Sequence, residues 1–372
     1  DIEINRENLQ IGKLPVMIKS DCCLLKKESM EKMYNAEMSD EEYMDKIIKE
    51  AKEDPIEEGG YFIVGGTERV LISLEDLAPN RVLVEYTPKY GRDVETAKVF
   101  SQHEGYRALI TIELRKDGVL VCTLPTVAGD LPLVILLKAL GLESDEEIVS
   151  NLVSDPSMER FAYANIEECA QEHLVITTDD AVNYLGKKIA GGQAKEYRLN
   201  RVNNLLGRVL LPHLGTAPED RLKKAIFLAR MGEAVLALAL DKRVPDDKDH
   251  YANKRIRLAG DLMEEEFRIA LTSLLKDVKY EFERATSRRE REKRAPRLGT
   301  YIKPDIFTQR IERALATGNW AGERTGISQL LDRTSNTSML SHLRRIMSPL
   351  VRSQPHFEAR DLHPTQWGRL CP

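Results

Sequence analysis

Residues 317–372 cannot supply a hydrophobic core. They hold seven arginines, three histidines and no lysine, set among Ser, Thr, Asn and Gln with few aliphatic runs. Soluble cores are not ordinarily built from such a composition. The segment is nevertheless not of low complexity, and a ligand is a better reason than packing for so specific a polar wording. Arg presents a planar fork of donors suited to phosphate, while hydroxyl and amide side chains add phosphate and sugar contacts.

The preceding residues change character along the chain. Ile11 to Leu25 reads as an extended, partly buried stretch, with Pro15 limiting its pairing. The acidic run after it has helical composition, with Met30, Met33, Tyr43, Ile47 and Ile48 spaced for one face. Asp54 to Gly60 is a turn. Tyr61–Val64 and Arg69–Ser73 flank Gly65-Gly66, and Leu109–Arg115 and Val119–Leu124 flank Lys116-Asp117-Gly118, which predicts two hairpins; Arg81–Thr87 is a further strand. From Leu131 the pattern turns helical, with Gly141 a stop, and helices dominate to about Arg284, including Ala225–Leu240 and Ile256–Tyr280. Thr286–Tyr301, charged and broken by Pro296, reads as a loop. Strands first and helices after, with no internal repeat, predict an α+β, multidomain fold.

Length and charge set further bounds. The 372 residues suffice for two or three domains, and a net charge of −5 argues against a uniformly basic coat. The balance is uneven, however: Glu28–Glu58 holds twelve acidic against four basic residues, and Arg284–Arg313 holds ten basic against four acidic. Only a basic face could attract a polyanion. The five cysteines form no C-x-x-C pair, so they read as free thiols of a reducing compartment. No apolar run approaches the ~18 residues of a membrane span, and the acidic opening Asp1-Ile2-Glu3-Ile4 is no signal peptide. A soluble, cytoplasmic protein is expected.

Candidate catalytic motifs fail on inspection. Gly186-Lys187-Lys188 lacks the upstream Gly and following Ser/Thr of a P-loop. No nucleophile elbow or H-E-x-x-H motif is present. The cluster Asp246-Asp247-Lys248-Asp249-His250 could hold Mg²⁺ in principle, but Lys254, Arg255 and Arg257 are placed to neutralise it, and a structural role is expected. In the polar segment, Gln329 and Arg333 would share a face of a helix, and Arg344 and Arg345 would diverge by about 100°. One of that pair could then grip phosphate while the other braces the protein.

Several runs also carry a resemblance. Gly326–Arg333 (GISQLLDR), Leu340–Arg345 (LSHLRR) and Arg360–Pro372 (RDLHPTQWGRLCP) resemble the fork region of the second-largest subunit of multisubunit RNA polymerases. Arg352–Asp361 (RSQPHFEARD) is most similar to the archaeal B or B″ form. Ile11–Ser20 (IGKLPVMIKS) and Gly59–Ile72 look like the protrusion domain, Leu131–Gly141 looks like the lobe, and Ala314–Trp320 (ALATGNW) leads into the fork. Asp246–Gly260 is similar to the lobe–protrusion boundary, where it is a packing element.

The resemblance implies a first part of the protrusion at 1–86, a lobe at 87–260, a second part of the protrusion at 261–316 and a truncated fork at 317–372. It implies a fragment, since the family continues past Pro372 into a Glu-Thr-Pro-Glu-Gly run. Gln329, Asp332, Arg333, Asn336, His342, Arg344 and Arg345 would face the RNA–DNA hybrid, Arg352 and Gln354 would lie where downstream duplex separates, and Arg360, His363 and Trp367 would fix the fork's own backbone. The implied function is to wall one side of the DNA cleft within a DNA-directed RNA polymerase, a nucleotidyltransferase. This chain would itself be non-catalytic and bind no cofactor, with Mg²⁺ used by the complete enzyme. Its partners would be the other subunits, above all the largest and the remainder of the B subunit, together with template DNA, the hybrid and general initiation factors. The alternatives are a free-standing nucleic-acid-binding module and a docking scaffold for initiation factors that uses the acidic run.

Overall fold

The computed structural model describes residues 9–35, 37–54, 56–89, 91–289, 299, 301–320, 324–348 and 363–370, with 286–289 described by backbone alone. The chain divides into two compact units, the first made of residues 1–76 and 256–359, the second of 77–255 and 360–372. Both mix helix and sheet, giving an α+β architecture.

Unit 1 begins with a stretch that is less buried than its sequence suggests. Ile11, Leu14 and Val16 are exposed, no strand forms there, and the segment is tied down where Ile18 N–H donates to the Tyr61 carbonyl. Helices α1 (Lys27–Tyr34) and α2 (Asp40–Lys46) follow, the second extended by a π turn, Ile47–Ala51. α2 starts on a capping box between Ser39 and Glu42, with three acids in the first turn facing the positive end of the helix dipole. Two short helices cannot keep one apolar face in register. Met30, Met38 and Ile47 form a small core with Tyr43, whereas Met33 and Ile48, expected on that face, lie exposed at 62% and 52%.

Strands β1 (Phe62–Val64) and β2 (Thr67–Leu71) pair around Gly65-Gly66. Both glycines adopt positive φ, +56° and +75°, the pair of left-handed residues that a two-residue type I′ turn demands. β3 (Ser73–Leu77) follows.

Unit 2 is built on an antiparallel sheet in the order β4 (Val82–Lys89), β5 (Arg92–His103), β6 (Tyr106–Leu114), β7 (Leu120–Thr123) and β8 (Leu131–Pro132). β4 straddles the 86/87 bound implied by the resemblance, and the unit change falls at 76/77. β5 is the longest strand and has no counterpart in the sequence reading. Its buried positions include Thr96 and Ser101, which disguise the apolar face.

Helix α3 (Leu133–Ala139) is buried on every side and ends in a Schellman turn. In that turn Leu142 N–H donates to the Leu137 carbonyl and Gly141 N–H to Lys138, with Gly141 at φ +108°. Helices α4 (Asp145–Leu152), α5 (Glu159–Gln171), α6 (Thr178–Ala190) and α7 (Lys195–Asn204) lead to α8 (Arg221–Ala239). α8 packs Ala225, Leu228, Val235 and Leu236 into one core with the sheet and α3. Lys224 on α8 is fully buried and donates to the Leu206 and Gly207 carbonyls at 2.9 and 2.6 Å; burial brings its ammonium down to about 8. It satisfies the last carbonyls of the π turn Leu205–Val209.

β9 (Lys254–Arg257) leads back to unit 1. There α9 (Ala259–Arg289) starts three residues after Ile256 and continues into the stretch read as a loop; of that loop, 290–298 lies outside the described residues. α10 (Pro304–Thr317) packs beside α9, with Phe267 and Phe307 meeting edge to face at 5.2 Å. β10 (Ser328–Leu330) joins β2, α11 (Asn336–Leu343) follows, and β11 (Ile346–Met347) pairs in parallel with β3. No described helix is long and apolar enough to cross a membrane. Cys22 is exposed, and Cys23, Cys122 and Cys169 are buried free thiols; Cys371 lies outside the described residues.

Candidate nucleic-acid interface

The polar segment owes its shape to anchors supplied by the rest of unit 1. Gly318 caps α10 in the left-handed conformation, and Trp320 is buried, its Nε1–H donating to the Leu262 carbonyl at 3.0 Å. Arg324 bridges Asp76 at 3.2 Å and Glu265 at 3.5 Å, and Glu265 also takes Arg257 at 3.1 Å. All these groups are largely buried, so Arg324 is a structural cation.

Pairing with β2 decides where Gln329 points. Gln329 sits opposite Val70 in a strand, and Arg333 lies in the loop before α11, so the two share no helical face. Propensity over so short a span yields to the sheet edge that β2 offers. Gln329 Nε2–H donates to the Gly326 carbonyl, and its Oε1 accepts from His342 Nε2 at 3.0 Å. His342 is 5% exposed and its Nδ1 accepts the Asp332 backbone N–H at 3.2 Å. Those two bonds assign the proton to Nε2 and require a neutral ring.

Burial, and then the charge of Arg345, push His342 below its ordinary 6.5, against the opposing pull of Asp332. A depressed histidine contributes stability that is fully present above the unfolded value and is lost as pH falls through the folded one. An NMR titration of the His342 ring should therefore give a midpoint below 6.5, with the Asp332 amide losing protection from exchange over the same range. A midpoint at or above 6.5 would remove the neutral hub.

Arg333 is committed to its own chain. Nε and Nη2 form a fork on the two oxygens of Glu68 at 2.7 and 2.8 Å, Nη1 reaches Glu57 at 3.2 Å, and the guanidinium lies 5.1 Å from the Tyr61 ring. The Arg333 bond holds the Glu68 carboxyl below its usual range. Asp332 is likewise occupied, accepting the Thr334 N–H at 2.9 Å. Ser335 and Ser338 form the capping box of α11, and Asn336, the first helical residue, is exposed.

Arg344 and Arg345 stand apart from this network. The helix stops at Leu343, so the pair sits on the C-cap and the residue beyond it, and not on a helical face. Both are exposed, and neither guanidinium makes a hydrogen bond or ion pair with a described residue. Position at a helix C-terminus suits a cation by itself. What distinguishes them is their place in the chain, between a helix whose Met339 and His342 are buried and β11, which pairs with β3. Arg352 and Gln354 lie outside the described residues.

Two expectations about packing change. His363 Nε2 lies 2.9 Å from Asp247, its ring is 5.6 Å from that of His250, and Thr365 Oγ1 accepts from the Tyr251 N–H. His363 therefore fastens its segment to the acidic loop of unit 2, while Trp367 is 67% exposed and Arg360 lies outside the described residues. In that loop Asp246 is neutralised by Arg243 at 2.8 Å and Asp249 by Lys254 at 3.8 Å, whereas Arg255 turns to backbone carbonyls and Arg257 to Glu265. Of the three cations expected to neutralise the cluster, Lys254 alone is paired with it, and Arg243 and His363 supply the other contacts. The sequence reading also missed Glu57, Glu68 and Tyr61 as the seat of Arg333, and Asp76 and Glu265 as that of Arg324. No local pattern links residues 265 positions apart.

Comparison with known proteins adds the wider context. Residues 78–257 match the family described as RNA polymerase Rpb2, domain 2, and residues 329–372 match RNA polymerase Rpb2, domain 3. The chain is 49% identical over 367 residues to DNA-directed RNA polymerase subunit Rpo2N of Halobacterium salinarum, covering 98% of this chain and 66% of that protein. It is 48% identical over 362 residues to Rpo2N of Methanocaldococcus jannaschii, covering 97% and 69%. It is 47% identical over 373 residues to subunit Rpo2 of Saccharolobus solfataricus, covering all of this chain and 31% of that protein. The chain thus spans about two thirds of the length of the Rpo2N relatives and about a third of the Rpo2 relative.

Proposed function

The chain belongs to the Rpb2 family of RNA polymerase subunits, in its archaeal Rpo2N/Rpo2 form, and from that membership we propose that it walls one side of the DNA cleft and holds the RNA–DNA hybrid and downstream DNA by their backbones. The observation that carries this reading is the Arg344–Arg345 pair, exposed and free of partners among the described residues, on a hub that is otherwise fully bonded. Arg suits phosphate, and phosphate contacts position a strand without reading its sequence.

Roles divide accordingly. Arg344, Arg345 and exposed Asn336 would contact the nucleic acid. Gln329, Asp332, Arg333 and His342 would hold them in place, since their polar groups are already bonded within unit 1. Arg352 and Gln354 keep the downstream role that the resemblance implies. The reaction itself would be carried out by the assembled enzyme with Mg²⁺, the remaining subunits being this chain's partners.

Primer extension on a DNA template tests the assignment, using this chain, a polymerase assembled without the matching segment, and the two mixed. Extension is expected only from the mixture. Normal assembly without extension would reduce the chain to a binding module.

A further inference from the structure

We propose that Glu168, Glu172 and His173 of unit 2 form a binding site for a divalent cation of the zinc class. One ligand atom from each side chain, two carboxylate oxygens and an imidazole nitrogen in all, lies within 4.8 Å of the other two. No other such group of three occurs among the described residues.

The local fold builds this set. Glu168 and Glu172 are four residues apart at the C-terminal end of α5, so they share a face, and Glu172 N–H closes the last turn on the Glu168 carbonyl. The chain then folds back at Leu174, whose φ of +53° is left-handed, and Val175 N–H donates to the Cys169 carbonyl at 3.2 Å. His173 lies in that reversal, its ring 5.2 Å from the ring of Tyr184 on α6. Its Nε2 stands 4.0 Å from Glu168 Oε1.

Two observations besides the spacing call for a cation. The Glu168 side chain is only 12% exposed, and its Oε2 is buried with no hydrogen-bond partner among the described residues. A carboxylate oxygen left that way is costly. The last turn of α5 also holds Glu167 and Glu168 at the negative end of the helix dipole, with no basic residue beside them. Burial, then the charges of Asp117 and Glu172, raise the Glu168 carboxyl above its ordinary value. Arg115 opposes them, but it is shared with Asp130 at 3.9 Å. A protonated His173 would not settle the balance. Its Nε2 is beyond hydrogen-bond reach of Glu168, and its single charge would face two carboxylates.

The donor set selects the ion. An imidazole beside carboxylates suits zinc or another late first-row metal, whereas Mg²⁺ and Ca²⁺ take oxygen ligands. Zinc bonds of about 2.0–2.2 Å in a tetrahedron set their donor atoms roughly 3.4 Å apart. The exposed Glu172 side chain has no partner among the described residues and can turn to close the set to that size. Three protein donors leave a fourth position for water. The ion would fasten the last turn of α5 to the loop that leads into α6.

The test is isothermal calorimetry of ZnCl2 titrated into the whole chain after treatment with a chelator. Zinc should bind, and Glu172→Gln and His173→Ala should each weaken binding by at least about 10-fold, since even partners outside the coordination sphere cost that much. Glu172 is exposed, so circular dichroism of Glu172→Gln should be unchanged. That variant decides the matter even if His173→Ala, which loses the Tyr184 contact, folds poorly. Cys22→Ser and His363→Ala, at the exposed thiol and at the contact with Asp247, should bind zinc as the parent chain does. Absence of zinc binding, or unchanged affinity in Glu172→Gln, overturns the proposal. So does a loss confined to the Cys22 or His363 variant, which would place the ion there instead.

Discussion

Replacing Arg344 and Arg345 together by alanine is expected to shorten the life of a polymerase–DNA–RNA complex by about 100-fold at moderate salt, without unfolding unit 1. The two side chains are exposed and bond to no described residue, so truncation opens no cavity and orphans no partner, and a stability change within about 0.5 kcal/mol is expected. A charge-assisted hydrogen bond from arginine to a phosphate is worth about 1.5 kcal/mol. Removing two such bonds costs about 3 kcal/mol, or two powers of ten in dissociation. The difference should shrink as salt rises, because the arginines act on a polyanion.

Arg333→Ala supplies the contrast. It breaks the fork on Glu68 and leaves Glu57 without its cation. Any shorter lifetime there should come with a loss of stability, about 1 kcal/mol or less since this pair is more than a third exposed, seen as a lower melting point. An unchanged complex lifetime for the double variant in a normally assembled enzyme would remove Arg344 and Arg345 from the interface.

What was legible in the sequence was local. The Gly65-Gly66 hairpin and the Gly141 stop follow from backbone conformations that only glycine takes freely, and such signals need no neighbour. β5 was hidden because buried Thr96 and Ser101 interrupt its apolar pattern, their hydroxyls being satisfied by the Glu85 carbonyl and by His213. The helical reading of Gln329 and Arg333 failed for a related reason: spacing four residues apart is compatible with a helix, but β2 leaves an edge that β10 completes. Arg344 and Arg345 were singled out from their residue type and the wording of their segment. Their freedom could not be read, since it depends on where Glu57, Glu68, Asp76 and Glu265 spend their charge.

The glycine of Ala314–Trp320 has a stricter requirement than its cap position alone imposes, and Gly318→Ala should destabilise unit 1 by about 3 kcal/mol. Gly318 lies at φ +73°, which costs a side-chain-bearing residue about 1–2 kcal/mol. A Cβ there would also stand 2.6 Å from the backbone oxygen of Ser328. That oxygen belongs to β10, which is held on both sides: Ser328 pairs with Leu71, and Ser328 Oγ–H donates to the Leu315 carbonyl at 2.5 Å. Backbone so fixed cannot yield cheaply, and overpacking of this kind adds about 1–3 kcal/mol.

Gly66→Ala separates the two terms. Gly66 has nearly the same φ, +75°, with nothing within 4 Å of an added Cβ, so it should lose only the conformational part, about 1 kcal/mol. The excess at Gly318 then measures the close approach to β10. Because β10 carries Gln329, whose Oε1 holds His342, the same displacement should loosen the seat of Arg344 and Arg345. Equal losses at the two glycines, read as midpoints of chemical unfolding, would show that β10 moves freely and that the hub beneath the arginines is not rigid.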